Sequence, residues 1–354
     1  MIYWIILSFF TAFAVVLFGT PSLIKVAKLK RLVDEPSEER KVHTRSVPTI
    51  GGIMIFAAFI FSVCLWYPES MKNIASGLND LKYLIATLIV LFFVGIKDDI
   101  IGTAPIYKLI AHLIVGFIIV MMADIRIESM HGLFGMTETL PAWASIMLTM
   151  FVYVVVVNAF NLIDGVDGLA GGTGFIITLF YTFWFYHLDQ PDLALISMAL
   201  SGSLAGFLIF NFNPARIFMG DSGSLIIGAI VVVLTIRAIE VQPAADSMFA
   251  SVSTPVLAMA CLSYPLIDTL RVFTIRAIKG KSPMSADRNH IHHRLMDAGF
   301  GHKKTVFTLY AFTCLIISTA LFSPFSNPTW SFILSSLAVA FTVLIIFVFT
   351  RKSK

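Results

Sequence analysis

Apolar residues of this chain occur in long runs that short polar stretches separate. A membrane-spanning helix needs roughly 20 apolar residues in succession. Runs that meet or approach this length lie at 2–20, 50–67, 81–96, 105–123, 141–158, 173–187, 193–210, 223–239, 249–267, 305–322 and 329–349. This pattern predicts an all-α fold, namely a polytopic membrane bundle of about eleven transmembrane helices. No linker-like stretch divides the runs, so we expect one domain over residues 1–354.

Composition places the chain in the membrane class. Hydrophobic residues make up 58% of it and charged residues 13%, whereas a soluble domain has about 45–50% and about 25%. Residues 2–19 lack the basic start of a signal peptide, so we expect a retained first helix. Cysteines 64, 261 and 314 lie in apolar runs and predict buried thiols without a disulfide.

Lysine and arginine are distributed unevenly between the two sides of the predicted bundle. Of the 25 basic residues, 21 fall in the segments 21–48, 97–108, 211–222, 268–304 and 351–354. Basic loops stay in the cytoplasm, so the N-terminus is predicted outside and the C-terminus inside. Aromatic residues do not interleave with the basic ones, and we therefore expect no nucleic-acid partner.

Two adjacent carboxylates, Asp98 and Asp99, stand in the motif Lys97-Asp98-Asp99, which follows the third apolar run directly. Neighbouring carboxylates repel each other unless a cation or a proton lies between them. A solvated helix end is the simple interpretation of such a pair. The alternative is that their oxygens help to place Mg²⁺ or take a proton from a phosphate.

Amide and carboxylate side chains recur at every third position after the fifth run. They are Asn158, Asn161, Asp164 and Asp167. A continuous α-helix turns about 100° per residue, which would point the first and last of them to opposite sides. Gly165 and Gly168 can break the helix and let the four side chains converge. This is the strongest local indication of a site, although a capped helix end followed by a turn is the alternative.

A third motif, Asn211 to Ser224, reads as an extended loop that leads into a helix rich in Ser and Gly at its start. Such a helix start offers backbone N–H groups to phosphate. Asp221 could cap this helix. Beside glycines and facing the other carboxylates, it would equally suit a metal ion.

The fourth motif is a histidine cluster with flanking arginines, at residues Arg288, His290, His292, His293 and Arg294. A zinc site and a solvated basic loop are two interpretations of it. The interpretation we favour is that imidazole and guanidinium groups surround an anionic pyrophosphate.

Two weaker features lie at span ends. His43 and Arg45 precede Gly51 and Gly52, where the chain enters a span, and they are candidate anion contacts if they share a side with the other motifs. Asp268 and Arg271 are three residues apart, which is typical of a helix-end ion pair.

Taken together and in this order, the motifs resemble those of the polyprenyl-phosphate N-acetylhexosamine-1-phosphate transferases. The resemblance runs from His43 to Arg294. It implies a helical bundle in the bacterial plasma membrane with a cytoplasmic active site. It also implies transfer of a sugar 1-phosphate from a UDP-sugar to undecaprenyl phosphate with release of UMP, dependent on Mg²⁺ or on Mn²⁺ in its place.

The same resemblance implies residue roles. Asp221 and Asp99 correspond to metal positions, and Asp98 to the base that acts on the lipid phosphate. Asn211 and Phe218 correspond to positions near the uracil, where an aromatic face can stack. The implied catalytic residues are Asp98, Asp99, Asp164, Asp167 and His290. The implied substrate-binding residues are His43, Arg45, Asn158, Asn161, Asn211, Phe218, Arg288, His292, His293 and Arg294.

The histidine motif bears on the donor sugar. The sequence His290-Ile291-His292-His293 is closer to the WecA/TagO type than to the peptidoglycan type, which carries three consecutive histidines. UDP-N-acetylglucosamine is therefore the expected donor, and UDP-MurNAc-pentapeptide is the alternative. The oligomeric state stays open, a homodimer included.

A transporter is the competing class of function. Transporters place their sites near the bilayer midplane, often between repeats. Here the polar motifs lie at the ends of the apolar runs, and no internal repeat is evident. An enzyme is therefore the favoured interpretation.

Overall fold

The computed structural model describes residues 1–34, 47–67, 74–280 and 290–351. Helices dominate these ranges, and one short antiparallel ladder joins β1 (Val33–Asp34) to β2 (Val47–Pro48). The helices are α1 (Ile2–Leu29), α2 (Gly52–Trp66), α3 (Ile74–Ile101), α4 (Pro105–Phe117), α5 (Ala142–Leu162), α6 (Leu169–His187), α7 (Pro191–Asn211), α8 (Asp221–Glu240), α9 (Thr254–Cys261), α10 (Ser263–Ile278), α11 (Ile291–Asp297), α12 (His302–Leu321) and α13 (Pro328–Arg351).

Each of the eleven predicted spans coincides with a helix or, in one case, with a pair of helices, which confirms the all-α membrane fold. Among the described residues, 8 helices are long and apolar enough to cross a membrane, or 9 if a bent pair forms one span. Helix α2 has 15 residues and is shorter than a full span. The exact count of eleven therefore stays a prediction.

The predicted span at 249–267 differs from the structure. Residues 249–253 precede the helix, and the helix itself breaks at Leu262 into α9 and α10, which are bent by 67°. Pro265 explains the break, because it has no N–H to donate to the carbonyl of Cys261 and its ring crowds that carbonyl. Two cysteines also differ from expectation, since Cys64 and Cys314 are exposed while Cys261 is buried.

Helix α8 is the centre of the bundle. Within its apolar stretch 94% of α8 is buried inside the protein, whereas only 11% of the corresponding stretch of α13 is buried. A helix that is hydrophobic on every face belongs in a core, and α8 packs against α2, α3, α5, α6 and α9. On α13 the side chains of Leu337 and Phe341 remain 63% and 64% exposed, as expected of a helix that borders lipid.

The start of α8 is approached very closely by α2 and α3. A Cβ atom at Gly52 would lie 2.1 Å from the backbone nitrogen of Gly223, and a Cβ atom at Gly95 would lie 2.4 Å from the Cα of Ser222. Glycine at these two positions therefore lets the backbones meet. The approach brings the last turn of α3, with its two carboxylates, beside the first residue of α8.

Replacing Gly95 with alanine is expected to destabilise the bundle by about 1–3 kcal/mol, because the added methyl group would meet backbone atoms that cannot move aside. Unfolding of the purified protein in mixed micelles of increasing SDS content would measure this loss.

Gly301→Ala is the matched control. A Cβ atom at Gly301 would have open space, and its φ of −63° suits any residue. This substitution is expected to cost less than about 1 kcal/mol, from the weaker helix-capping preference of alanine. Equal stability of the two variants would contradict a backbone contact at Gly95.

Candidate active site

Asp221 is the first residue of α8, and the carboxylate of Asp99 holds its backbone in place. Asp99 Oδ1 accepts the N–H of Asp221 at 2.7 Å, and its Oδ2 accepts the N–H of Ser222 at 3.1 Å. The first N–H groups of a helix have no partner within it and carry a partial positive charge. A carboxylate from α3 thus satisfies the start of α8.

Lys108 joins the other two carboxylates of this region. Its Nζ lies 2.8 Å from Asp98 Oδ2 and 2.5 Å from Asp221 Oδ2. Asp98 and Asp99 therefore have different partners, a lysine and a helix start. The sequence analysis did not place Lys108 in the site, because it used this lysine only as one of the basic residues that indicate membrane orientation. A hint existed, since it lies in the first turn of α4, ten residues after Asp98.

The motif after α5 does break where its glycines predict. Helix α5 ends at Leu162, and Gly168 has a φ of +82°, in the left-handed region that glycine tolerates. Asn161 Nδ2 donates to Asp221 Oδ1 at 2.8 Å and contacts Ser224 Oγ at 3.0 Å. The amide of Asn158 donates instead to the carbonyl of Val154 in its own helix, at 2.7 Å.

Asp164 and Asp167 lie in the turn between α5 and α6. Burial, together with the nearby carboxylates of Asp221, Asp99 and Asp167, raises the pKa of Asp164 well above its ordinary value. Asp167 Oδ2 accepts from Asn213 Nδ2 at 2.9 Å and from the N–H of Ala215 at 3.1 Å. The turn is thus joined to the loop that precedes α8.

Gly168, which closes this turn, is held from two other helices. Its N–H donates to Asn211 Oδ1 at 2.9 Å, and its carbonyl accepts from Tyr310 Oη at 2.5 Å. Asn211 also donates to the carbonyl of Ile217 at 2.9 Å. Asn211, predicted to lie near uracil, thus has a shaping role for two loops.

The loop before α8 also pairs with the segment before α2. Phe218 donates its N–H to the carbonyl of Pro48 at 2.7 Å, and Gly51 donates to the carbonyl of Phe218 at 2.9 Å. The Phe218 ring is half-buried. The segment that contains Gly51 therefore does lie beside the other motifs. His43, Arg45 and Arg288 fall outside the described residues, and their roles stay predictions.

The histidine motif is anchored by Asp268 of α10. His290 Nδ1 lies 2.8 Å from Asp268 Oδ2, and the N–H of Ile291 donates to Asp268 Oδ1 at 2.7 Å. The rings of His290 and His292 stack with centroids 5.2 Å apart. His292 Nε2 lies so near Gly165 that a Cβ there would be 3.2 Å away. His292 therefore packs on the turn that carries Asp164.

His293 and Arg294 complete the described part of this motif. The His293 ring lies 4.4 Å from that of His292. Arg294 donates from Nε to Thr350 Oγ1 at 2.9 Å, and its guanidinium lies 4.0 Å above the Phe347 ring. Arg294 thus ties α11 to α13, and its predicted contact with substrate remains a prediction.

Asp268 and Arg271 differ from the simple helix-end pair. Asp268 is buried and joined to His290 and Ile291, while the Arg271 guanidinium lies 4.9 Å from the Phe347 ring. Sequence reasoning did not connect Asp268 with the histidines, because the two lie on different helices.

The site contains oxygen ligands of the kind that bind a hard divalent cation. The carboxylates of Asp221, Asp99 and Asp167 lie near Asp164, and burial, followed by the charge of these neighbours, raises the pKa of Asp164. Oxygen ligands of this kind suit Mg²⁺. Asp99 uses both oxygens on N–H groups of α8, so its predicted role as a metal ligand stays a prediction.

A second group has the spacing of metal ligands. One ligand atom each from Asp268, His290 and His292 lies within 4.8 Å of the others. Imidazole and carboxylate would suit a transition metal. In the structure Asp268 and His290 already satisfy each other.

Known proteins resemble this chain over most of its length. Residues 81–239, which include Asp98, Asp164 and Asp221, match the model of the family described as glycosyl transferase family 4. Decaprenyl-phosphate N-acetylglucosaminephosphotransferase of Mycobacterium tuberculosis is 30% identical over 347 residues, which cover 93% of this chain and 85% of that protein. Undecaprenyl-phosphate alpha-N-acetylglucosaminyl 1-phosphate transferase of Escherichia coli K12 is 28% identical over 316 residues, covering 86% and 81%.

The likeness extends over almost the whole chain and includes the motifs that converge at the start of α8. It agrees with the family resemblance that the sequence motifs indicate. This chain therefore belongs to glycosyl transferase family 4, among the polyprenyl-phosphate N-acetylglucosamine phosphotransferases.

Proposed function

We propose that the protein transfers N-acetylglucosamine 1-phosphate from UDP-N-acetylglucosamine to undecaprenyl phosphate. The products are undecaprenyl-diphosphate-N-acetylglucosamine and UMP, and the lipid-linked sugar would begin a cell-envelope polysaccharide. Family membership and the names of the relatives support this reaction.

One observation carries it: Asp221 lies at the first turn of a central membrane helix, between Lys108 and Asn161 and beside Asp164. A polyprenyl tail must stay in lipid while its phosphate meets a water-soluble nucleotide, which requires a site at the membrane surface. The end of a spanning helix is such a place. We propose that this end faces the cytoplasm, in keeping with the basic loops.

Phosphoryl transfer depends mostly on positioning and on charge neutralisation. In the proposed reaction an oxygen of the acceptor phosphate attacks the β-phosphorus of the donor. The bond from that phosphorus to the bridging oxygen breaks, and UMP leaves with the electron pair. Both reactants are anions, so their approach needs cations nearby. Lys108 supplies one positive charge between Asp98 and Asp221.

The remaining charge would be balanced by Mg²⁺, with Mn²⁺ as a substitute. Asp221 would hold the ion together with Asp164 or Asp167. When bound, the ion supplies Lewis-acid stabilisation of the charge on the transferred phosphate. Asn161 orients the Asp221 carboxylate through its 2.8 Å hydrogen bond.

Asp98 is the proposed base for a protonated acceptor phosphate. A two-step route through an aspartyl-phosphoryl enzyme is the alternative. Exchange of labelled UMP into UDP-N-acetylglucosamine without any lipid acceptor would support the two-step route and contradict direct attack.

Two other functions have specific tests. UDP-MurNAc-pentapeptide is the alternative donor, and comparison of the two donors with one acceptor decides between them. A transporter would form no lipid-linked sugar. The structure gives it little support, because the polar cluster lies at helix ends rather than midway along the spans.

Asp221→Asn is expected to lower transfer at least about 100-fold, because removal of one carboxylate charge forfeits several kcal/mol of stabilisation and each 1.4 kcal/mol is tenfold. The purified protein would be incubated with Mg²⁺, undecaprenyl phosphate and radiolabelled UDP-N-acetylglucosamine, and label would be followed into the lipid phase. EDTA is expected to abolish transfer as well.

Asp246→Asn removes an exposed carboxylate from the loop between α8 and α9, at the other end of α8, and serves as the control. It should retain activity within about twofold. Undiminished transfer by Asp221→Asn would remove this residue from the site. Failure of the unaltered protein with every UDP-sugar would argue against the proposed reaction itself.

Lys108→Met is expected to reduce kcat about 100-fold or more, because it leaves Asp98 and Asp221 without their shared cation and removes a positive charge from the reacting phosphates. Lys108→Arg keeps the charge and should recover part of the rate. Initial rates over a range of donor concentrations would separate kcat from KM.

Lys303→Met is the matched control for this lysine, since Lys303 is exposed in the first turn of α12. It should leave both kinetic constants within about twofold. If Lys108→Met changed KM alone, the lysine would serve donor binding rather than transfer.

A further inference from the structure

Asp268 is a buried carboxylate whose two oxygens both serve the histidine motif. It lies in α10, and its side chain has 0% exposure. Oδ2 lies 2.8 Å from His290 Nδ1, and Oδ1 accepts the N–H of Ile291 at 2.7 Å. A buried carboxylate is costly unless hydrogen bonds satisfy it. These two bonds are therefore strong constraints on the segment that they join.

The bond to Ile291 fixes where α11 begins. This helix has seven residues, and the side chain of its N-cap residue, His290, makes no capping hydrogen bond. Asp268 supplies the missing acceptor from another helix and places a negative charge at the helix start. The backbone on both sides of His290 is thereby held against α10.

The bond to His290 fixes its ring. A carboxylate oxygen accepts this bond, so Nδ1 carries the hydrogen, and in a neutral ring Nε2 is then the acceptor nitrogen. The ring then stacks on His292 with an angle of 10° between planes. Burial lowers the pKa of His292 to about 3, which keeps that ring neutral.

His292 in turn packs against Gly165, in the turn that carries Asp164. A continuous set of contacts therefore runs from Asp268 through His290 and His292 to the carboxylate-bearing turn. Asp268 bonds directly to His290 and Ile291, whereas it is connected to the carboxylate-bearing turn only through the histidines.

We infer that Asp268 is a positioning residue of the transferase, which acts through His290 by fixing the orientation and the tautomer of its ring. This inference rests on the proposed function, because His290 is a catalytic residue only if the protein transfers sugar phosphate. It assigns Asp268 no contact with either substrate.

A double-mutant cycle tests whether Asp268 acts through His290. Asp268→Asn can still accept the Ile291 N–H, but its NH₂ group then faces Nδ1 and favours the other tautomer. His290→Asn keeps a donor near the position of Nδ1 and deletes Nε2. We expect Asp268→Asn to lower kcat roughly 10- to 100-fold, the size typical of losing a carboxylate behind a functional histidine.

In the His290→Asn background, the same Asp268→Asn change should lower kcat by less than about twofold, because the ring through which it acts is gone. Asp297→Asn is the control, since Asp297 is an exposed carboxylate at the end of the same short helix. Full multiplication of the two losses, or a change in stability with kcat intact, would overturn the inference.

A spectroscopic measurement tests the tautomer without relying on activity. The chain has 8 histidines, so ¹⁵N-histidine spectra in micelles are tractable, and the His290 signals are those that His290→Asn removes. We expect Nδ1–H in the unaltered protein and Nε2–H in Asp268→Asn. An unchanged tautomer would refute the positioning role, even if the protein transferred a different substrate or none.

Measurement of bound metal tests the remaining alternative, which is that these residues hold a metal ion. Because Asp268, His290 and His292 have metal-ligand spacing, a stoichiometric transition metal that Asp268→Asn removes would overturn the inference in favour of a metal site. Absence of such a metal, with the tautomer change and the non-additive kcat, would establish Asp268 as a positioning residue.

Discussion

The hydrogen bonds from the first N–H groups of α8 to the Asp99 carboxylate are the contact on which the site depends. Helix starts need acceptors, and here the acceptor comes from a different helix. The position of Asp221 is therefore set by α3 as much as by α8. That arrangement is available only because Gly52 and Gly95 let α2 and α3 approach the backbone of α8. Packing and chemistry are thus joined at one helix turn.

Charge balance is the second constraint. Carboxylates of Asp98, Asp99, Asp164, Asp167 and Asp221 share a small region, and the described part of the chain offers Lys108 as the cation bonded to two of them. Burial raises the pKa of Asp164, and the neighbouring carboxylates raise this pKa further because negative charge is in surplus here. A region of this kind attracts a divalent cation, and a cation-loaded region attracts phosphates. A surplus of negative charge that is unfavourable by itself is thereby suited, together with a cation, to binding two anionic substrates.

Much of the fold and part of the site could be predicted from sequence. Long apolar runs locate helices because a bilayer demands about 20 residues of each. Asn161, Asp164 and Asp221 could be grouped because polar side chains at the ends of apolar runs share a surface. Lys108 was missed despite its nearness in sequence to Asp98, because its bond to Asp221 spans 113 residues of sequence and a lone lysine at a helix start is ordinary. Asp268 was misjudged for a similar reason, since its neighbour in sequence, Arg271, suggested a local pair. The break before α10 required attention to Pro265, whose effect an apolar run conceals.

Gly168 connects the order of synthesis with the completion of the site. Its N–H donates to Asn211 of α7, and its carbonyl accepts from Tyr310 of α12. The turn with Asp164 and Asp167 is therefore supported by one helix that is synthesised soon after it and by another that is synthesised much later. Helices made earlier on the ribosome can assemble first. The turn, however, gains its second support only once α12 has emerged and entered the bilayer. The carboxylates of the turn are thus synthesised well before the helix that gives the turn its second support.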